Sequence, residues 1–489
     1  MHGARNEVTK KITATKEEQR MKLVRSAAPF LARSLLTSAA PLALCACALS
    51  PPAPKVDAVP PPQWYAAPAH NASLTELANW WQRQGDPLLV RLIDSAEKAS
   101  PTVSAARARI EQSRAEHVAA GAALLPSVDA GVSVSRANQQ SVLPTGTTSQ
   151  AAFQAAWEID LFGGRRAEQR ASDERLAGAR AGWHEARVSI AAEVANQYYA
   201  LRTCGDLLAV AEQDAQSRAD TARLTQLSTD AGFQSPATAA RARASAAEGR
   251  ARATQQRAEC DLDVKALVTL TAVPEPQLRQ QLAASTAVAV APIEINALPA
   301  QTLAQRPDVF NAEREVAAAS ADVGSAQAQR YPRLTLQGSV GAASFRTGGA
   351  NTNLDTWTIG PLALSVPVFD AGRRSANVDA AKARYDSAVV SYRAVTRQAV
   401  REVEEALVNL QSTAARTDDA QAALAGYTYA FRATEDLYKN GLTSLLELED
   451  VRRTRLVAEI TVVNLQRDRN AAWVALYRAA GGGWTAATN

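Results

Sequence analysis

Two periodicities divide this chain. Val128, Ala130, Val132 and Val134 alternate with Ser127, Asp129, Gly131 and Ser133, the period of two expected of a strand with one apolar and one polar face. The alternation returns at Phe153, Ala155, Trp157, Ile159 and Leu161, at Leu334, Leu336, Gly338 and Val340, and at Leu362, Leu364, Val366 and Val368. Trp357 and Ile359 fall on the opposite parity to the last set, which predicts a bulge near Gly360-Pro361. Elsewhere apolar residues recur at spacings of four and three, as in Val403, Leu407 and Leu410 or Leu456, Ile460 and Val463, which are narrow seams of coiled-coil type. The proline-free run from Ala171 to Asp230 would span on the order of 90 Å as a helix rising about 1.5 Å per residue.

These elements occur twice in the same order. Pro101, Val103 and Pro126 align without gaps on Pro307, Val309 and Pro332, and Phe162 and Gly164-Arg165-Arg166 on Phe369 and Gly372-Arg373-Arg374. Agreement in two separate segments indicates a duplication. Each copy predicts a helix (Val103 to Leu125; Val309 to Tyr331) stopped by a proline, a strand, a polar loop, a second strand and two long helices. The division is repeat 1 over 73–275, a linker over 276–300 and repeat 2 over 301–489. Four strands cannot close a membrane barrel, which needs about eight. The chain must therefore oligomerise or fold its sheet on itself, and a trimer would supply twelve strands.

Composition supports thin helical packing. Aromatic residues make up 5% of the chain and much of the 47% hydrophobic fraction is alanine. A net charge of +4 with interleaved signs offers no basic patch for nucleic acid. The four histidines are isolated and none is spaced with a cysteine, so neither a metal site nor a catalytic constellation is expected. The N-terminus has the form of a signal peptide over 1–46, starting at Met21 with residues 1–20 as a possible upstream extension, followed by a linker over 47–72. Leu44-Cys45-Ala46-Cys47 resembles a bacterial lipobox, with Cys47 the better lipid anchor because a small residue precedes it; a plain signal peptide with incidental cysteines is the alternative. No other uncharged apolar run reaches 18 residues, so no transmembrane helix is expected. Cys204 and Cys260 lie 28 residues on either side of Gly232. A helical hairpin turning there would bring them level, as a disulfide or as two buried thiols.

Three motifs carry a family resemblance: "WWQRQGDPLLVRLIDSA" (Trp80 to Ala96), "QRPDV" (Gln305 to Val309) and "LYRAAGGGW" (Leu476 to Trp484). With them the chain resembles a TolC-type outer-membrane efflux factor, closest to the lipidated OprM or NodT branch. The resemblance implies a homotrimer of mixed α and membrane β structure. Two tandem repeats would each give a β-hairpin to a 12-stranded outer-membrane barrel and long helices to a periplasmic α-helical barrel. It further implies a periplasmic adaptor protein, a proton-driven inner-membrane pump, contact with outer-membrane lipid, and no cofactor beyond a covalent N-terminal lipid.

By position, Gly232, Phe233, Gly441 and Leu442 correspond to the hairpin tips where adaptors dock, and Tyr438, Glu447 and Asp450 to the periplasmic gate. Glu447 and Asp450 are three apart, hence on one helix face. Ser444-Leu445-Leu446-Glu447 is also a capping box, which gives Glu447 a purely local role to play. Thr443 and Thr238 stand where some members carry Arg and Asp links between helices, so the closed state here is held in another way. Rival readings are a lipid-anchored coiled-coil spacer without a pore, a protein-secretion duct, and an enzyme, the last lacking any catalytic constellation.

Overall fold

The structure, a computed structural model, describes residues 49–66, 74–138, 145–285 and 299–485. Two compact units interleave along the chain, and each takes segments from both repeats. Among the described residues, one holds 49–52, 123–138, 145–168 and 322–379; the other holds 53–66, 74–122, 169–285, 299–321 and 380–485.

The first unit is a four-stranded antiparallel sheet of β1 (Ser127–Ala137), β2 (Gly146–Ile159), β3 (Arg333–Thr347) and β4 (Ala350–Ser365), in that order across the sheet. The two hairpins join through β2 and β3, so one repeat pairs with the other. Residues directly opposite in an antiparallel ladder share a face. The register sets Val128 beside Ala155, Ala130 beside Phe153, Phe153 beside Val340 and Val340 beside Trp357, which makes one face apolar from edge to edge. On the other face Gln154 lies opposite Asp129 and Ser339, and Ser339 opposite Thr358.

The predicted bulge is present. Leu336 pairs with Leu362 but Gly338 pairs with Ile359, so Gly360 and Pro361 together oppose Gln337. The extra residue returns Trp357 and Ile359 to the apolar face. That face is open to the surroundings, with Val132 82%, Trp357 71% and Ile359 87% exposed.

Below the strands Trp157 Nε1 donates to the Leu124 carbonyl at 2.9 Å, and Phe162 stacks on Tyr331 at 4.9 Å. Each repeat then starts a long helix under a carboxylate. Asp160 accepts from the backbone N–H of Arg165 and Arg166 at 3.2 and 3.0 Å, and Asp370 from those of Gly372 and Arg374 at 3.1 and 3.2 Å. The two aspartates stand at different offsets from the matched arginines yet fill the same need, an acceptor for orphan helix N–H groups.

The second unit is helical. Its helices of eight residues or more are α1 (Pro87–Ala99), α2 (Pro101–Ala122), α3 (Gly164–Asp230), α4 (Pro236–Thr271), α5 (Glu275–Ala283), α6 (Pro307–Ala328), α7 (Arg373–Lys439) and α8 (Leu445–Ala479), of which α3, α6 and α7 have one end in the sheet unit. Helices α3 and α7 are each 67 residues long, and α4 and α8 are 36 and 35, the duplication made visible. Helices α2 and α6 end at Ala122 and Ala328, short of the prolines expected to stop them, since proline disfavours helical conformation in the residue before it. Residues 275–283, partly inside the segment read as a linker, form α5.

The three signature motifs touch one another. Trp80 stacks on Tyr477 at 4.9 Å and Trp81 meets it edge-on at 4.8 Å. Asp86 caps α1 through Leu88 and Leu89 N–H at 3.1 Å and accepts from Tyr198 Oη at 2.6 Å. Arg306, buried, donates to the Ala479 carbonyl at 2.9 Å and pairs with Asp308 and Glu402 at 2.6 and 2.8 Å. Gly481, Gly482 and Gly483 all have positive φ, and each passes against other backbone or side chain too closely for a Cβ. Burial pushes the Tyr477 phenol up to about 12.

Candidate functional site: the hairpin tips

Helices α3 and α7 end in the same way. Gly232 and Gly441 take φ of +82° and +72°, where glycine carries no steric penalty. Phe233 N–H reaches back to Ser228 O at 2.8 Å and Gly232 N–H to Thr229 O at 2.9 Å; Leu442 reaches Leu437 at 2.9 Å and Gly441 reaches Tyr438 at 3.0 Å. Both are Schellman closures. The chain restarts at Ser235, whose hydroxyl accepts from Thr238 N–H at 3.1 Å, and at Ser444, which accepts from Glu447 N–H at 3.2 Å. Phe233 and Leu442 are 82% and 72% exposed, so each tip presents one large apolar side chain outward.

The residues assigned to the gate separate into two kinds. Tyr438 faces inward and shares a 2.6 Å hydrogen bond with the Thr225 hydroxyl, joining α7 to α3. Glu447 and Asp450 are exposed. Half of the capping box is formed, because the Glu447 carboxylate takes its hydrogen bond from the Thr443 hydroxyl rather than from Ser444 N–H. Asp450 pairs with Arg453 on its own helix.

Between these exposed acids lies Glu449, which sequence reasoning passed over. Its Oε2 accepts from Arg218 Nη1 at 2.6 Å and from the Ser245 hydroxyl at 3.0 Å, and its Oε1 pairs with Arg452. Arg452 is fully buried. It donates to the Ser217 and Thr221 hydroxyls at 3.2 and 2.8 Å and lies over the Phe431 ring at 5.5 Å. Arg218 also holds buried Asp214 at 2.8 Å, which Arg252 meets at 3.2 Å. Side chains from α3, α4, α7 and α8 thus converge on one ionic cluster. Burial lowers the Arg452 pKa, with Glu449 opposing and Arg218 adding to the effect; an arginine starts so far above neutrality that it stays charged. The available signal was the seam Leu445, Leu448, Arg452, Leu456, a basic residue at an otherwise apolar position.

Cys204 and Cys260 are joined as a disulfide with a Cα–Cα distance of 5.5 Å, tying α3 to α4. Cys47 lies outside the described residues. Among the described residues no group of three or more His, Cys, Asp or Glu side chains could hold a metal ion, and no helix is long and apolar enough to cross a membrane.

The family model described as outer membrane efflux protein matches residues 92–273 and 298–482, covering both repeats. The chain belongs to that family. It is 29% identical over 470 residues to the pyoverdine export outer membrane protein OpmQ of Pseudomonas aeruginosa, covering 92% of this chain and 97% of that one. It is 30% identical over 414 residues to the solvent efflux pump outer membrane protein SrpC of Pseudomonas putida, covering 83% and 87%. Its fold matches the Campylobacter jejuni CmeC outer membrane channel with a TM-score of 0.78 at 24% identity, covering 91% of this chain and 96% of that one. As an outer membrane efflux protein it is a channel of the outer membrane, with the mixed strand and helix architecture that the resemblance implied.

Proposed function

We propose that this chain is the exit duct of a tripartite efflux system. In this reading three copies close a twelve-stranded barrel and their helices form a conduit through which small organic molecules leave passively. A periplasmic adaptor and a proton-driven inner-membrane pump supply the cargo, and the duct performs no chemistry of its own. The observation that carries this is the sheet: among the described residues it has four strands, one apolar face in the open and two unpaired edges. Neither an open edge nor so few strands is tolerated in lipid, whereas twelve strands from three copies satisfy both demands. A pore-free spacer leaves that face without a purpose.

The exposed apolar tips Phe233 and Leu442 serve as adaptor contacts. Lipidation at Cys47 anchors the mature N-terminus. It is supported by the hold on the nearby chain, for the Gln327 side-chain amide binds both the N–H and the carbonyl of Ser50 at 3.0 Å within the sheet unit. Threefold symmetry gathers the exposed Glu447 and Asp450 carboxylates of three copies around the narrow end, where they raise the local cation concentration. Replacing Glu447 by Gln and Asp450 by Asn together is expected to raise single-channel conductance and weaken block by multivalent cations in planar bilayers. Unchanged conductance and block would remove both residues from the gate.

A further inference from the structure

The end of the sheet away from the helices carries charge of one sign. Rows of directly opposed residues on the apolar face run from the helix end through Ile159, Leu334 and Leu364, then through Phe153, Val340 and Trp357. They finish at Arg136, Thr147, Arg346 and Asn351, one from each strand. Arg136 and Arg346 therefore share the face of Val132 and Trp357, with β2 between them, and both are exposed. In sequence the hairpin ends 134–149 and 344–353 contain no aspartate or glutamate, and no basic residue besides these two. Asp355, the one carboxylate on that face of the described strands, stands opposite Ala342, two rows nearer the helices, and pairs with neither arginine. Depth can be read from the strand itself. At about 3.4 Å per residue the run of β3 from Leu334 to Arg346 is about 40 Å long, which a barrel tilt of about 35–45° turns into about 30 Å of height. That is the hydrocarbon thickness of a bilayer, so the Leu334 row and the Arg346 row sit at opposite interfaces. An arginine on the lipid side is costly at mid-membrane and nearly free of cost at an interface.

We infer that Arg136 and Arg346 form a docking site for the phosphorylated headgroup of a glycolipid in the extracellular leaflet, one site on the outer wall of each copy. The inference rests on the duct reading above, which turns the apolar face toward lipid and the helix-free end of the sheet toward the outside. Guanidinium groups suit phosphate because their planar donors can bind two oxygens at once. With one strand between them the two arginines stand about 10 Å apart at the backbone. That spacing suits two phosphates on one headgroup, as on a bis-phosphorylated disaccharide, better than a single phosphate. Thr147 lies between them in the row and adds a hydroxyl. Arginines that only reach for water would need neither a shared row nor flanks empty of acids.

The test uses the full-length oligomer purified from membranes, stripped of co-purified lipid and titrated with defined lipids by native mass spectrometry. Bis-phosphorylated lipid A is expected to bind about tenfold more tightly than its fully dephosphorylated form. Equal affinities overturn the inference, and this comparison needs no variant. Arg136→Gln or Arg346→Gln is expected to cut the ratio to about threefold, and the double replacement to about one. Arg333→Gln, at an exposed position alternating with Leu334 on the polar face of β3, is expected to leave the ratio as in the parent. A ratio that falls as far in Arg333→Gln, or that persists in the double variant, overturns the site. Inorganic phosphate in excess, at constant ionic strength, is expected not to displace the lipid; displacement would mark a site for any phosphate and overturn the lipid assignment. An assembled oligomer that ignores the phosphates defeats this inference alone. A protein that stays monomeric, without heat-modifiable migration, defeats the duct reading beneath it and the inference with it.

Discussion

A methyl group added at Gly481 would lie 2.2 Å from the Gln305 carbonyl oxygen, at a φ of +86°. One added at Gly232 would meet nothing within 4 Å at a φ of +82°. The two glycines share a backbone conformation but not a surrounding, and the difference separates two costs. Gly232→Ala should lose only the conformational penalty of about 1 kcal/mol. Gly481→Ala must in addition force apart the contact between two signature motifs, and a total loss above about 3 kcal/mol is expected. The temperature at which the oligomer dissociates on a denaturing gel checks both, and equal shifts would show that the close approach is relaxed at no cost. The same scale explains why the contacts at the tip were only half legible. Tip glycines and capping serines announce themselves by residue type. Glu449 does not, since three acids stand within four positions and only the fold, bringing Arg218 from 231 residues away, selects the one that is buried.

At the scale of elements the duplication and the alternation fixed what would form. The parity change at Trp357 and Ile359 located the bulge, and the seams in the proline-free runs located the long helices. Their ends were less legible, because a proline limits how far a helix can run without saying how many residues the last turn gives up. The pairing of Cys204 with Cys260 was half legible. Equal distances from Gly232 put them level, but only the shared face of α3 and α4 decides between a bond and two thiols. The bond encloses a separation of 56 residues, and the chain-entropy estimate for such a loop is about 4 kcal/mol. Replacing both cysteines by serine should therefore lower the stability of the α3–α4 hairpin by up to about 4 kcal/mol. Hydrogen exchange across residues 200–264 is the measurement, and protection equal to that of the parent would mean that packing alone sets the hairpin.

For the assembled molecule the decisive feature is the pair of open edges on β1 and β4. Successive N–H groups of a strand point to opposite sides, so of Val132→Pro and Ser133→Pro one strikes the ladder to β2 and the other the outer edge. Both are expected to abolish the heat-resistant oligomer, and the outer-edge variant should do so while keeping its own hairpin. Persistence of the oligomer in both would mean that copies associate through their helices alone. A closed ring also has a genetic consequence. Every copy must offer one sound edge and accept another, so a single faulty member leaves a gap that its neighbours cannot bridge. In a cell making normal and edge-broken chains in equal amounts, random assembly leaves only about one ring in eight free of the fault. The lesion would behave as dominant, disabling far more export capacity than the loss of one allele.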